Sequence, residues 1–197
     1  MIAVNNNYNQ DFNMYNYLDI ITPKIITILS RPIKEFLTYD MLDTEKNKSN
    51  KLIALKEKQR QMKIGEIMQT CLGNYDTFID LGVGHYSGLD IMSAERKIII
   101  ELKNRTNTDN ASSRKSNLDK LALFKKNNPN YLCIYGCVND DTEEKTMMGG
   151  IKQIVHKDGE IYQYVGDSLL TLILEDNKTI IIDYIRTIIT NYYIDND

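Results

Sequence analysis

One strand constrains this chain more than any other stretch. Residues 98–103 read Ile-Ile-Ile-Glu-Leu-Lys, apolar enough at the start to be buried on both faces of a sheet, yet they close on a carboxylate and an amine. Side chains alternate across a strand, so Glu101 and Lys103 share one face and Leu102 takes the other. If residues 88–104 fold as a β-hairpin, Asp90 on the first arm reaches the Glu101 face. Two carboxylates and a lysine at the end of a buried strand outline a divalent-metal site.

The rest of the chain supplies the setting. Its 197 residues, 42% apolar and 26% charged, suit one globular domain over 1–197 with a polar, aperiodic arm at 1–17. No basic stretch followed by an apolar run opens it, and no apolar run approaches the roughly 18 residues of a membrane span. An intracellular, soluble, cytoplasmic protein with no membrane partner is expected. Cys71, Cys133 and Cys137 form no CxxC pair and read as small buried apolar residues. With His85 and His156 as the sole histidines, a zinc site built on paired histidines is disfavoured. The net charge of −3 hides an asymmetry. Lys97, Lys103, Arg105, Arg114, Lys115, Lys120, Lys125 and Lys126 face three acids between 97 and 126, whereas the chain beyond Val138 is acidic. A basic run that starts where the acid-bearing strand ends points to a polyanion partner.

Local patterns predict the elements. Thr22-Pro23 reads as a cap and first helical residue, followed by a second helical piece over 33–42, a polar loop over 43–50 and a helix over 51–72 that Gly73 stops. Strands are expected over 75–81, around Asp90 and over 97–103. Ser112 or Ser113 should cap a helix running to about Asn127, and residues 131–138 return as a buried strand, closing a βαβ unit with a parallel pair. Edge strands over 151–155 and 161–165 and helices over 168–174 and 178–192 complete an α/β domain with a mixed central sheet flanked by helices.

An acid, one residue, then lysine is a weak signal, since Glu95/Lys97, Glu143/Lys145 and Asp176/Lys178 repeat it. Glu101/Lys103 differs by ending a buried strand that follows a strand with its own acid. Mg²⁺ takes oxygen ligands and retains waters, so Asp90, Glu101 and the Leu102 carbonyl would hold it and leave room for a water and a phosphate oxygen. Lys103 would orient or deprotonate the water and offset charge. The bland alternative is a buried Glu-Lys ion pair with Asp90 capping a turn.

The pattern Gly88-x-Asp90, ten residues, then Glu101-Leu102-Lys103 resembles the active site of the PD-(D/E)xK nuclease superfamily. The longer run IELKNRTNTDNASSRKSNLDKL resembles type II restriction endonucleases, above all the subgroup that recognises GG-any-CC sites. The likeness covers roughly residues 60–138; Leu89 stands where a proline often precedes the first acid. The resemblance implies a restriction-endonuclease-like fold, Asp90 and Glu101 as Mg²⁺ ligands, Lys103 as catalytic lysine, and Glu66 as an extra acid on a helix beside the site. It also implies double-stranded DNA as substrate, cut at a short palindrome by a homodimer, with a cognate methyltransferase in the same system. The loop after the strand would then enter a DNA groove, with Arg105, Asn107, Thr108, Asn110, Ser112, Ser113, Arg114 and Lys115 available to bases and phosphates. Rival readings are a nuclease of this fold acting in repair, junction resolution or mobile-element excision, and a non-catalytic DNA-binding protein.

Overall fold

The computed structural model describes residues 12–33, 41–105, 110–139, 150–157 and 159–196. Among them, six strands form one mixed sheet in the order β1-β2-β3-β4-β6-β5. The strands are β1 (Ile79–Asp80), β2 (Ile91–Ser93), β3 (Ile98–Arg105), β4 (Leu132–Asn139), β5 (Ile151–His156) and β6 (Gly159–Val165). The β1-β2 and β2-β3 pairs are antiparallel, β3-β4 and β4-β6 are parallel, and β5-β6 is antiparallel. The expected α/β class with a mixed central sheet flanked by helices is what the chain forms. Helix α3 (Ala111–Asn127) makes the expected crossover between β3 and β4.

The two sheet faces carry separate cores. On one, Ile98, Ile100, Leu102 and Ile134 meet Ile21 and Ile25 of α1 (Met14–Ser30), Cys71 and Leu72 of α2 (Glu45–Leu72), Leu169 and Ile173 of α4 (Asp167–Leu174), and Ile181 of α5 (Lys178–Asn196). On the other, Ile99, Tyr135, Cys137 and Ile161 pack under Leu121, Ala122 and Phe124 of α3. All three cysteines are buried and outside any disulfide, as expected, and burial pushes the Cys71 thiol up to about 12 and that of Cys133 up to about 11. No helix among the described residues is long and apolar enough to cross a membrane.

Several local expectations yield to tertiary context. Helix α1 starts at Met14, where the Asn13 side chain accepts from the N–H groups of Tyr15 and Asn16, so Thr22-Pro23 lies inside the helix. Thr22 is no cap: its hydroxyl donates to the Leu18 carbonyl one turn back. The proposed arm therefore overlaps the helix at 14–17, and Tyr17 is buried with its hydroxyl donating to the Cys71 carbonyl at 3.0 Å; residues 1–11 lie outside the described residues. Thr44 caps α2, with Glu45 in its first turn, so most of the loop expected over 43–50 is helical. Of the helical piece expected over 33–42, residues 34–40 lie outside the described residues, and Met41-Leu42 form a turn.

The strand expected over 75–81 shrinks to Ile79–Asp80, because the N–H groups of Tyr75 and Phe78 bond backward to Leu72 and Tyr75 in turns. Asn110, one turn ahead of the predicted serines, caps α3 by accepting from the Ser113 N–H. Strand β5 is an edge as expected, but β6 is interior, with Ile161, Gln163 and Val165 buried between β4 and β5. Of the acidic loop expected over 139–148, Asn139 closes β4 and residues 140–148 lie outside the described residues.

Gly73, where α2 ends, sits under the strands that carry the acids. A Cβ there would lie 2.8 Å from both Asp80 Cβ and Ile91 Cγ2 and 2.9 Å from Asp80 Cα. Overpacking of that kind typically costs about 1–3 kcal/mol. Gly73→Ala should therefore lower stability by about that much in urea unfolding; a midpoint equal to wild type would show that β1 and β2 yield freely.

Candidate active site

Strand β3 places the site. Its first three residues are buried isoleucines, and Leu102 is anchored in the helix-rich core while Glu101 turns toward the α3 side. Extending the Ile91–Ile100 register by one residue sets Asp90 opposite Glu101 on the same face. Backbone bonds hold Asp90 there: its N–H donates to the Ile100 carbonyl at 3.1 Å, and its carbonyl accepts from the Leu81 N–H at 2.8 Å. The Asp90 Oδ2 accepts from the Leu102 N–H at 2.6 Å. Lys103 Nζ donates to Glu101 Oε1 at 2.7 Å, with the lysine side chain 21% exposed and the glutamate 5%.

The remaining oxygen of Glu101, Oε2, is buried without a hydrogen-bond partner. Leaving a buried polar atom unsatisfied costs about 1–3 kcal/mol, and more for a charged group. Like charges opposite one another on adjacent strands add repulsion. Burial raises the pKa of Asp90 above its ordinary value, against the Leu102 N–H and the charge of Lys103. Burial likewise raises Glu101, Asp90 adds to the rise, and Lys103 opposes it. The arrangement is thus two crowded carboxylates with a free acceptor oxygen. Hard cations that take oxygen ligands relieve that condition, so the residues present fit a divalent metal. Among the described residues no group of three or more His, Cys, Asp or Glu side chains gathers, so the acid set here is the pair.

The other predicted site residues scatter. Helix α2 does lie beside the site, with Asn104 Nδ2 donating to the Gln61 carbonyl at 3.0 Å. Its Glu66, however, pairs with Arg31 at 2.6 Å on an exposed surface. Arg105 ends β3 in register with Asn139, and Asn107 and Thr108 lie outside the described residues. Asn110 accepts from the Ser112 hydroxyl and the Ser113 N–H at the start of α3. Arg114 turns inward, donating to Gln163 Oε1 at 2.9 Å with its guanidinium 4.7 Å from the Tyr135 ring centroid. Lys115 is exposed and pairs with Asp119 at 2.7 Å.

Two charged residues near the acids escape a reading of the sequence. Asp80 adds to the rise at Asp90 and is itself held by Gln69 Nε2 at 3.0 Å; only the β1-β2 register brings it close. The charge of Lys120, on α3, draws both Asp90 and Glu101 back toward ionisation. Its signal in the sequence was faint: it neighbours the stripe formed by Arg114, Asn117 and Leu121, which helical spacing turns toward the sheet.

A family model described as Eco47II restriction endonuclease matches residues 13–189. Among curated proteins and among solved structures, nothing matches the chain.

The raised Glu101 pKa has a definite sign. A carboxyl whose folded value exceeds its unfolded one supports folding below the unfolded value, near 4.3, and loses that contribution as pH rises through the folded value. In metal-free buffer, Glu101→Gln should melt with wild type at pH 4. It should then melt above wild type as the pH reaches 8. Loss of stability at pH 8 would mean that the Lys103 pair outweighs burial.

Proposed function

The chain belongs to the Eco47II restriction endonuclease family and is a type II, site-specific endodeoxyribonuclease; from that premise we propose that Asp90, Glu101 and Lys103 form a Mg²⁺-dependent PD-(D/E)xK centre. The observation that carries this reading is the unpartnered Oε2 of Glu101 beside Asp90. Asp90, Glu101 and the Leu102 carbonyl would hold the ion. A divalent cation bound there supplies a more acidic water and charge offset at the scissile phosphate.

The chain's own groups do the positioning. The Leu102 N–H fixes the Asp90 carboxylate, and the buried β3 backbone fixes Glu101, so both acids are set before DNA arrives. Lys103 is anchored on Glu101 Oε1 and partly open to solvent, which lets its ammonium orient a water and offset phosphate charge. As in the superfamily the sequence resembles, a water oxygen bonds to phosphorus in line with the departing 3′ oxygen, whose bond breaks. A proton ends on that oxygen, leaving a 5′-phosphate and a 3′-hydroxyl.

The substrate in this reading is double-stranded DNA with a short GG-any-CC palindrome. A palindrome read by equivalent subunits calls for a two-fold homodimer, and host DNA in the cytoplasm would need a cognate methyltransferase for protection. Glu66 has no part in this proposal, since Arg31 already engages it.

Incubation with unmethylated plasmid and Mg²⁺, followed by sequencing of fragment ends, should yield discrete ends at GG-any-CC; random or structure-directed nicking would refute restriction. Lys103→Ala should lose cleavage by at least about a hundredfold while Ca²⁺-supported DNA binding stays within a few fold. Wild-type cleavage by that variant would remove Lys103 from the centre.

A further inference from the structure

Lys120 is an exposed lysine on the helix that covers the Glu101 face. Its stem lies over Gly88, two residues before Asp90: a Cβ on Gly88 would be 3.5 Å from Lys120 Cδ and Cε. Gly88 has φ +62°, so the loop presents bare backbone beneath the lysine. The Lys120 ammonium is tethered by two long bonds to neutral acceptors, 3.3 Å to the Gly88 carbonyl and 3.4 Å to Asn117 Oδ1. Asn117 is itself buried, which steadies the tether from below.

Nearby lysines are otherwise engaged. Lys103 pairs with Glu101 and Lys115 with Asp119, whereas no carboxylate among the described residues lies within ion-pair distance of Lys120. A fully solvated helix position would not lay its stem over the acid-bearing loop. A phosphate approaching two carboxylates meets repulsion, and Lys103 already has one anionic partner. An ammonium on a four-carbon stem, with donors in weak use, suits a phosphate oxygen.

We propose that Lys120 contacts the substrate, holding a phosphate of the DNA strand at the Asp90–Glu101 pair as a second cation beside Lys103. The assignment rests on the nuclease reading above. Its direct test is the salt dependence of Ca²⁺-supported binding to a fluorescent duplex cut from a mapped plasmid cleavage site, or from mixed plasmid sequence if none is cut. Each phosphate contact contributes about 0.9 to the slope of log K against log salt.

Lys120→Gln should reduce that slope by about 0.9 and slow plasmid cleavage about tenfold to a hundredfold. Lys120→Arg should restore the slope and most of the rate. A slope unchanged in Lys120→Gln overturns the proposal whatever the cleavage rate, and leaves the nuclease reading intact if wild type cuts. A wild type that binds without cutting refutes the nuclease reading, while the slope still decides Lys120. Absence of binding by wild type overturns both.

Discussion

The structure turns on one bond: the Leu102 N–H donating to the Asp90 carboxylate across the hairpin. Leu102 is held by its side chain in the core beneath α1 and α2, so its backbone cannot drift, and whatever that N–H grips is fixed with it. Asp90 is gripped in turn by the Ile100 carbonyl and the Leu81 N–H. The two acids are thus locked opposite one another by a leucine on the strand that carries Glu101. Removing the leucine from its core would loosen the acids before touching them.

That lock holds an unfavourable arrangement in place. Two buried carboxylates repel, and one carries an oxygen with no hydrogen bond. Folding tolerates this because β3 is central, paired on both sides and sandwiched between two cores. Burial favours the protonated acids, while Lys103, and more remotely Lys120, favour the ionised ones. Strain of this kind concentrates at functional sites, where a ligand resolves it. The family match spans residues 13–189 and so includes both acids.

The legible parts of the fold were those that local chemistry decides. The isoleucine run of β3, the α3 crossover and β4 follow from apolar patterning and fall within a residue or two of expectation. Where two local signals compete, the surroundings choose. Thr22-Pro23 is a good helix start in isolation, but Asn13 offers an earlier one, and Tyr17 must be helical to reach Cys71. Residues 161–165 alternate like an edge strand, yet they lie inside the sheet because β4 and β5 pair with them on either side and α3 covers one face.

The sequence by itself determined the alternation that sends Glu101 and Lys103 one way and Leu102 the other, because strand geometry has a period of two whatever the context. It also determined that Asp90 lies within a hairpin's reach. Only the tertiary structure decided which charges meet the pair. Glu66 faces Arg31 and Arg114 bends inward to Gln163 and Tyr135, while Asp80 and Lys120 lie close enough for their charges to be felt at the acids. The reason is physical: charge acts through distance, and the distances between α2, α3 and β3 are set by how their apolar faces pack, which no local spacing encodes.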